Sequence, residues 1–525
     1  MKPVVKRTAA WSLITAMAVS AAACGNSSDK SSSGNSPGAS PSAATSASAA
    51  PSAKPSEGPK PQLRSLQISQ SADYNTYPVA KVLEEKTGYK VQYDMLPADK
   101  PEDKLNLLIA SGEAYDAITT LGSSDAKALY SDYAKRGALV DLGPLVDKYG
   151  PNIKAAISQA SLDAAKVDGK LYAIPTKSLE FSGSGLMIRQ DWLDKLGLKA
   201  PTTTDELTTV LKAFKEKDPG GNGDKNVPLT MKGEVPFIEG IAGAFGLANG
   251  WNDANGSLVP RALDAGYKEY VNYLSGLFKD GLLDKEAAIN KDANMKEKFS
   301  SGKAGMAPIN WADVPTLSDA LKKAVPDAKV VYIPALKGPN GKYGYSATAG
   351  FDRLTFIPKA SKHPEDAVKW LNAKLDPATF KLMAIGEENK HYTFKDGAYT
   401  PILPIFTDER NFANNFLMGV DEKNYPTYWQ ARVRKDPRLF EAWEYLNVKQ
   451  PADTRKIDPL GLSPYLADYS KNNLSLNTLV NEQTVKFIVG ADPLANYDAF
   501  AAKYKSSGGD ASVKEVNDWY KTVKK

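Results

Sequence analysis

From residue 62 onward, short strand-like runs alternate with helix-like runs, and this alternation constrains the fold more than any other feature. A strand around Leu66 and Ile68 is followed by a helix over residues 79–87, a strand over 90–95, a helix from Pro101 and a strand over 117–119. The alternation predicts an α/β fold with a mostly parallel sheet and helices on both faces. Ligands of such sheets bind beyond the carboxyl ends of the strands. The loops after the first and third strands are therefore candidate binding loops.

Length and composition indicate a large, water-soluble protein. A chain of 525 residues exceeds a typical domain of about 100–200 residues, which favours two lobes. Its 42% hydrophobic and 24% charged residues exclude a multispanning membrane protein and a wholly disordered chain. The formal net charge is +5, but residues 62–525 carry only +1 of it. No nucleic-acid partner is therefore expected.

The amino-terminal residues have the pattern of a secreted, lipid-anchored protein. Basic residues precede an apolar run that ends in small residues directly before Cys24, the only cysteine. This is typical of a secretory signal, and the position of Cys24 resembles a bacterial lipobox, although Ala21 stands where leucine is usual. We predict a signal peptide over residues 1–23 and acylation of Cys24. An ordinary secretory signal with an incidental cysteine is the alternative.

Residues 24–61 are predicted to hold the lipidated cysteine and a disordered tether. After Cys24 the segment consists mostly of Ser, Ala, Pro and Gly and has no apolar side chain larger than alanine. Such a composition cannot bury a core.

Several catalytic motifs are missing from the sequence. It has no G-x-x-x-x-G-K-[ST] phosphate-binding loop, which excludes a P-loop ATPase. With only two histidines, His363 and His391, the sequence does not favour a histidine zinc site or a Ser/His/Asp triad. We expect them in surface or helix-capping positions. A pair of catalytic carboxylates, as in glycosidases, stays open because 61 acidic residues always offer pairs.

Four segments further along the chain carry motifs that occur in a recognisable order. They are residues 168–175 (DGKLYAIP), in which Pro175 is expected to end a strand, 189–198 (RQDWLDKLGL), 299–306 (FSSGKAGM) and 362–367 (KHPEDA). With residues 487–490 and 508–520 they span nearly all of residues 62–525. Together they resemble the extracellular solute-binding proteins of bacterial ABC importers. The nearest likeness is to large lipoproteins associated with oligosaccharide uptake, including members that bind alginate and pectin-like fragments.

The resemblance implies a two-lobe, periplasmic-binding-protein-like fold with a hinge and a ligand cleft between the lobes. Lobe 1 is expected over residues 62–179 and about 350–405, and lobe 2 over about 180–349 and 406–525. Hinge closure around a sugar would present a new surface to the permease subunits of the importer. We expect a monomeric, non-enzymatic protein without a cofactor. It would be attached only by its lipid to the outer face of a Gram-positive-like cell membrane.

A sugar site needs flat aromatic side chains and planar polar groups, because sugar rings have apolar faces and a rim of hydroxyls. Trp311 follows the FSSGKAGM strand, where the family commonly places a ligand-stacking aromatic, and packing in the lobe core is its alternative. Asp313 could accept sugar hydroxyls or cap the next helix. The other candidates lie in loops or at expected lobe crossings: Asp73, Tyr74, Asn75, Thr120, Ser123, Lys177, Glu180, Trp251, Phe351, Asp352, Tyr428 and Trp429.

Some of these candidates have competing interpretations. Lys177 and Glu180 could form a hinge salt bridge, and Trp251 could lie on the cleft rim or on the lobe surface. Trp192 and Trp370 have helical spacing and apolar neighbours, so we assign them to the core.

Residues 218–226 (DPGGNGDKN) resemble a calcium loop that some family members carry. Calcium takes about 6–8 oxygen ligands, several of them carboxylates. Asp218, Asn222, the Asp224 carbonyl and Asn226 could supply oxygens, but Gly220 stands where the third-position carboxylate is expected. We favour a metal-free turn, with weak calcium binding as the alternative.

The function predicted from the sequence is capture of a carbohydrate, in particular an oligosaccharide, and its delivery to an ABC importer permease. Two other classes stay open. One is a cell-surface glycan-degrading enzyme, and the other is a carbohydrate-binding adhesin without a role in transport.

Overall fold

The structure is a computed structural model that describes residues 59–524, without the side chains of Ser124 and Asp125. The predicted signal peptide, Cys24 and nearly all of the predicted tether lie outside the described residues. Within residues 59–524, no helix combines the length and the apolar character needed to cross a membrane.

The strands of the described chain are β1 (Leu63–Gln67), β2 (Val91–Met95), β3 (Ala117–Leu121), β4 (Lys166–Val167), β5 (Lys170–Leu171), β6 (Ala173–Lys177), β7 (Ser184–Arg189), β8 (Val227–Leu229), β9 (Trp251–Ala254), β10 (Ser257–Pro260), β11 (Ala304–Asn310), β12 (Val330–Tyr332), β13 (Tyr345–Ala347), β14 (Phe351–Phe356), β15 (Tyr392–Lys395), β16 (Ala398–Pro401) and β17 (Arg455–Ile457).

The α-helices are α1 (Pro78–Thr87), α2 (Pro101–Ser111), α3 (Ser124–Lys135), α4 (Gly143–Tyr149), α5 (Pro151–Ala156), α6 (Gln159–Ala164), α7 (Gln190–Leu196), α8 (Thr204–Lys217), α9 (Gly266–Lys279), α10 (Asp292–Ser300), α11 (Val314–Ala324), α12 (Pro364–Lys374), α13 (Pro377–Ile385), α14 (Ile405–Arg410), α15 (Tyr425–Val433), α16 (Pro437–Glu444), α17 (Ala467–Val489), α18 (Tyr497–Tyr504) and α19 (Asp510–Val523).

The first elements confirm the alternation predicted from the sequence. Helix α1 begins at Pro78, whose missing N–H costs nothing in the first turn of a helix. It ends before Gly88, which adopts the left-handed conformation (φ 71°) that glycine tolerates best. Helix α2 likewise begins at Pro101 and ends before a left-handed glycine, Gly112.

The first sheet has the strand order β2-β1-β3-β14-β6. β1 is parallel to β2 and β3, whereas β14 is antiparallel to β3 and β6. The first core packs around this sheet and includes Leu63, Ile118 and Leu354 from strands and Val79 and Trp370 from helices. The predicted sheet is therefore present, with β14 inserted as the antiparallel strand by which the chain returns to it.

Pro175 does not end its strand as the sequence suggested, because it lies inside β6. β6 is an edge strand of the first sheet, with β14 as its neighbour. A proline costs little at an edge, where one side of the strand has no partner for a backbone N–H.

The second sheet has the strand order β12-β7-β11-β8 and is covered on both faces. Side chains alternate between the faces of a strand. Leu186 and Ile188 of β7 pack in the second core, which also includes Trp192, whereas Met187 between them packs in the third core. Trp192 and Trp370 are both fully buried, which confirms their assignment to core packing.

The chain crosses between the two lobes at three places. Residues 178–183 join β6 to β7, and residues 348–350 join β13 to β14. The third crossing lies within α15, because Ala431 packs in the first core and Val433 packs in the third core. The sequence predicted that the chain passes from lobe 1 to lobe 2 near residue 405, and this boundary does not agree with the packing. Phe406, Phe416 and Tyr425 all belong to the first core.

Candidate functional site

The sheet topology brings several predicted site segments to one edge of the first sheet. β1, β3 and β6 run in the same direction, so the residues that follow Gln67, Leu121 and Lys177 lie at the same edge. β14 runs the opposite way and begins at this edge with Phe351, which pairs with Lys177. This is the carboxyl edge, where ligands of such sheets bind.

The second sheet presents a corresponding edge. β8, β11 and β12 end at the edge where β7 begins with Ser184. Trp311 follows β11 directly at this edge. Since residues 178–183 connect Lys177 to Ser184, the first crossing joins the carboxyl edge of one sheet to the matching edge of the other.

The first two crossings lie side by side and are hydrogen-bonded to each other. The Ser178 N–H donates to the Gly350 carbonyl at 2.8 Å, and the Thr348 N–H donates to the Phe181 carbonyl at 3.0 Å. Such a two-stranded connection fits the predicted hinge, because a few backbone positions there could absorb a rotation of one lobe against the other.

An aromatic cluster lies where the crossings meet, and we call Phe181, Trp311, Trp429 and Trp443 the crossing cluster. The Phe181 and Trp429 rings are stacked with centroids 5.3 Å apart. The Trp311 ring packs edge-on against both, at 5.8 Å from each. Trp443 packs at 5.8 Å from Trp429. Trp429 contacts both the first and the third core, so the cluster lies at the boundary between the lobes.

Two members of this cluster were predicted from the sequence and two were missed. Trp311 and Trp429 were candidates, and the structure brings them together. Phe181 is adjacent to the predicted Glu180, and an aromatic residue at an expected lobe crossing was the signal that could have identified it. Trp443 gave no such signal, because it lies on α16 among other helical residues.

The polar groups of this cluster and of the adjacent Ser182 are not all hydrogen-bonded. Within the described chain, the indole Nε1 atoms of Trp311 and Trp443 and the hydroxyl of Ser182 are buried and have no hydrogen-bond partner. Buried polar groups are normally paired, so each such atom calls for an explanation. A ligand that supplies acceptors would provide one.

Lys177 and Glu180 form an ion pair of 2.8 Å beside the first crossing. Both line a cavity of about 250 Å³ that also contacts Glu422 and Tyr425. The Glu422 Oε1 atom is buried with no hydrogen-bond partner among the described residues. The ion pair agrees with the hinge interpretation of these two residues, and the cavity keeps both within reach of a small ligand.

Ser123 and Phe351 line a second cavity, of about 200 Å³, where the first lobe meets residues 458–470. Lys127 lies in the same cavity and donates from Nζ to the Ser463 carbonyl at 3.3 Å. Burial lowers the pKa of Lys127 to about 8. The Ser123 hydroxyl accepts a hydrogen bond from the Ala126 N–H, which caps α3.

The three consecutive candidates after β1 pack within the first lobe. Asp73 accepts hydrogen bonds from the Asn75 N–H and the Thr76 hydroxyl, and these bonds lower its pKa. Asn75 bridges to the backbone of Tyr93 through two bonds of 2.9 Å. Tyr74 is 1% exposed and stacks on Tyr93 in the first core. Their polar side chains stabilise the loop after β1. Tyr74 is buried in the first core, whereas Asp73 and Asn75 are exposed.

Four other candidates also have internal partners. Asp313 holds the N-cap position of α11, but its side chain pairs with Lys296 at 2.9 Å. Trp251 is 6% exposed and packs edge-on against Tyr469, and it lines a cavity of about 290 Å³ together with Phe237 and Arg261.

Tyr428 packs edge-on against Tyr399, and Asp352 is half exposed and pairs with Arg353 at 3.1 Å. Thr120 is buried, and its hydroxyl has no hydrogen-bond partner in the described chain.

The predicted calcium loop is closed by its own side chains. Both carboxylate oxygens of Asp218 accept backbone N–H groups, from Asn222 at 3.0 Å and Gly223 at 2.7 Å. The Lys195 ammonium donates to the Pro219 carbonyl at 2.9 Å. An added Cβ at Gly220 would lie 2.4 Å from the Trp192 ring, so no carboxylate fits at the third position.

The two asparagines of this loop are tied to neighbouring segments, and the Oδ1 atom of Asn226 is buried without a hydrogen-bond partner among the described residues. The side-chain nitrogens of Asn222 and Asn226 donate to the Gly302 and Phe214 carbonyls. Asp224 lies in a short 3₁₀ turn. Within residues 59–524, no cluster of three or more His, Cys, Asp or Glu side chains could hold a metal ion. The hydrogen bonds of Asp218 and the close approach of Trp192 to Gly220 therefore favour the metal-free turn.

His391 is not the surface residue that the sequence suggested. It is fully buried, accepts the Glu387 N–H at Nδ1 and contacts Glu409 through Nε2 at 2.8 Å. His363 takes the N-cap position of α12, as expected.

Two α/β lobes, joined by crossing segments that carry an aromatic cluster, define a two-lobe binding protein. The chain belongs to the family of bacterial extracellular solute-binding proteins, whose sequence model matches residues 69–379. This confirms both the resemblance and the two-lobe fold that it implied.

Curated relatives match most of the chain. It is 27% identical to lipoprotein LipO of Bacillus subtilis (strain 168) over 480 residues, which cover 87% of this chain and 91% of LipO. It is also 27% identical to the polygalacturonan/rhamnogalacturonan-binding protein YtcQ of the same organism, over 85% of this chain and 88% of YtcQ.

Solved structures show the same fold. The alginate-binding protein AlgQ2 without calcium ion matches with a TM-score of 0.63 and 23% identity, over 87% of this chain and 98% of AlgQ2. An EF-hand mutant of the substrate-binding protein FusA from S. pneumoniae, in complex with fructo-nystose, matches with a TM-score of 0.64 and 21% identity, over 88% of this chain and 99% of FusA.

Proposed function

We propose that this protein captures an oligosaccharide between its two lobes and delivers it to the permease of an ABC importer. The crossing cluster carries the proposal. It supplies aromatic rings and buried polar atoms without partners at the boundary of the lobes, and these are the groups that bind a sugar face and its hydroxyls.

The relatives support the same ligand class. YtcQ is named for binding polygalacturonan and rhamnogalacturonan, and FusA of Streptococcus pneumoniae, 31% identical over 58% of this chain, is named a fructooligosaccharide ABC transporter substrate-binding protein. We further propose that the protein acts as a monomer without catalysis or a cofactor, and that acylated Cys24 anchors it to the outer face of the cell membrane.

The test is a binding screen of the whole secreted chain against plant, algal and fructan oligosaccharides, by thermal shift and calorimetry. A binding protein should gain thermal stability with at least one oligosaccharide, because a ligand that binds only the folded state raises its stability. It should release no reducing ends. Released reducing ends would favour the enzyme, and the absence of binding across the panel would contradict the proposal.

Trp429→Ala tests the site itself. Loss of a buried aromatic contact commonly costs about 2 kcal/mol or more, so we expect affinity to fall at least about twentyfold. Trp519→Ala is the matched control, since Trp519 is a half-buried tryptophan on α19, outside the crossing cluster. Trp311 is a poorer probe because it is 9% exposed and packs in the third core. Equal affinities of the two variants would place the site elsewhere.

A further inference from the structure

A cavity of about 260 Å³ opens at the carboxyl ends of the first three strands. Ile68 follows β1, Leu96 follows β2, and Thr120 and Leu121 end β3. Leu105 of α2 closes it from the helix side. The cavity therefore lies at the same sheet edge as the first crossing, on the first lobe.

The lining of this cavity is mostly apolar. Among the residues that line it, Glu102 carries the only charge, and no lysine or arginine is present. A carboxylate on a sugar would find no cation here and would meet the charge of Glu102. Free hydroxyl groups would lose water without gaining enough partners, which disfavours a plain sugar ring in this position.

Leu121 shows that the apolar surface is open to an occupant. The four preceding residues of β3 are buried, whereas Leu121 is 52% exposed at the end of the strand. The neighbouring Thr120 is buried, and its hydroxyl has no hydrogen-bond partner within the described chain. The cavity thus combines apolar walls with the hydroxyls of Ser69 and Thr120, and the buried Thr120 hydroxyl lacks an acceptor within the described chain.

We propose that this cavity binds an acetyl group on an uncharged residue of the captured oligosaccharide. An acetyl group offers a methyl group for the apolar walls and one carbonyl oxygen as an acceptor for the Thr120 hydroxyl. The cavity exceeds one acetyl group in volume, so it also has room for the ring carbon that bears the acetyl group, with the ring hydroxyls outside the cavity. This inference rests on the proposed function, since it specifies the chemistry of the same ligand.

The test compares matched ligands with and without acetyl groups. One arm uses O-acetylated xylo-oligosaccharides before and after mild alkaline deacetylation. The other uses chitotriose against cellotriose, in which hydroxyls replace the N-acetyl groups. We expect the acetylated member of at least one pair to bind about tenfold more tightly, from one buried methyl group and one hydrogen bond. A preference in the first arm indicates an O-acetyl ester, and a preference in the second arm indicates an N-acetyl amide.

Two variants test whether the preference for the acetylated ligand arises in this cavity. Leu121→Asn places a polar side chain in the cavity and should reduce the preference to about twofold or less, with little effect on the deacetylated ligand. Leu107→Asn is the matched control, because Leu107 is 61% exposed on α2 and does not line the cavity. It should keep the full preference.

The outcomes separate this inference from the proposed function. If oligosaccharides bind but neither arm shows a preference for acetylation, the inference is wrong and the proposed function stands. If the preference exists but Leu121→Asn and Leu107→Asn behave alike, the acetyl group binds elsewhere and the inference is also wrong. If the wider panel shows no carbohydrate binding at all, both proposals fail.

Discussion

Glu239 is a half-buried carboxylic acid in the loop after β8, and its Oε2 atom is buried without a hydrogen-bond partner among the described residues. Burial raises the pKa of Glu239 to about 7. The positive charges of Arg261 and Lys232 lower the pKa but only partly offset the effect of burial. The folded state therefore holds this proton at pH values where the unfolded chain, with a pKa near 4.5, has lost it. The free energy of unfolding should therefore fall as the pH rises from about 4.5 to about 7.

Glu239→Gln should remove this dependence, because a glutamine is neutral in both states. Relative to the parent protein, the variant should gain up to about 3 kcal/mol in its free energy of unfolding between pH 4.5 and pH 8. Urea unfolding at several pH values measures the difference. Parallel pH profiles for the two proteins would contradict the pKa shift.

The calcium loop gives a second residue-scale prediction. Because Asp218 and Lys195 already close the loop with hydrogen bonds, EDTA should change the melting temperature by about 1 °C or less. Gly220→Asp restores the expected acid but forces a side chain against Trp192, so it should destabilise the fold by about 1–3 kcal/mol whether or not calcium is present. A calcium-dependent rescue of this variant would show that the loop still binds the ion.

Sequence reasoning succeeded at single residues where one physical rule dominates. Trp192 and Trp370 were assigned correctly because helical spacing with apolar neighbours leads to burial. Tyr74 was placed in a binding loop because its position after β1 was visible, while its packing against Tyr93 and Phe416 depends on segments distant in the chain. A side chain's direction is decided by such tertiary contacts, which one sequence does not contain.

At the scale of elements, the fold depends on close contact between the end of β3 and the start of β14. The Gly122 N–H donates to the Asp352 carbonyl at 2.8 Å. An added Cβ at Gly122 would lie 2.0 Å from the Phe351 carbonyl oxygen. Only a glycine permits this approach, so Gly122 couples the third strand to the returning strand β14.

Gly122→Ala should therefore lower the free energy of unfolding by about 1–3 kcal/mol. Gly276→Ala is the matched comparison, because Gly276 is exposed on α9 with nothing within 4 Å of an added Cβ. That change should stabilise the protein by about 0.5–1 kcal/mol, since alanine favours a helix. Urea unfolding of both variants measures the contrast, and a shift of the same sign in both would refute the argument.

The elements themselves were predictable to different degrees. α1 and α2 carry a proline at the start and a glycine at the end, and both were found from the sequence. The predicted end of β6 at Pro175 was wrong, because the edge position of this strand depends on β14, which lies far along the chain. The crossing within α15 was missed for a similar reason, since Ala431 and Val433 pack in different cores although they share one helix.

At the scale of the whole molecule, the two-lobe organisation followed from motif order rather than from any single motif. The motif segments near residues 168–175 and 299–306 become β6 and β11, which end at facing edges joined through residues 178–183. The order of motifs therefore indicated the two lobes. It did not reveal the crossing cluster, because Phe181, Trp311, Trp429 and Trp443 come from three distant parts of the chain.

In the proposed lipid anchor, attachment to the membrane depends on the side chain of Cys24. Acylation of the Cys24 thiol and of the new amino group would place several acyl chains on one residue, and more than one chain is needed for stable anchoring. Cys24→Ser keeps nearly the same side-chain size but removes the thiol. We expect it to move the protein from the membrane fraction to the culture medium.

Fractionation of the producing bacterium, followed by immunodetection, measures this shift. The released variant should bind oligosaccharides as tightly as the parent protein, because Cys24 precedes the tether and residues 59–524 hold the crossing cluster. Equal binding would show that release reflects the anchor and not misfolding. Retention of Cys24→Ser in the membrane fraction to the same extent as the parent would show that another part of the chain holds it there.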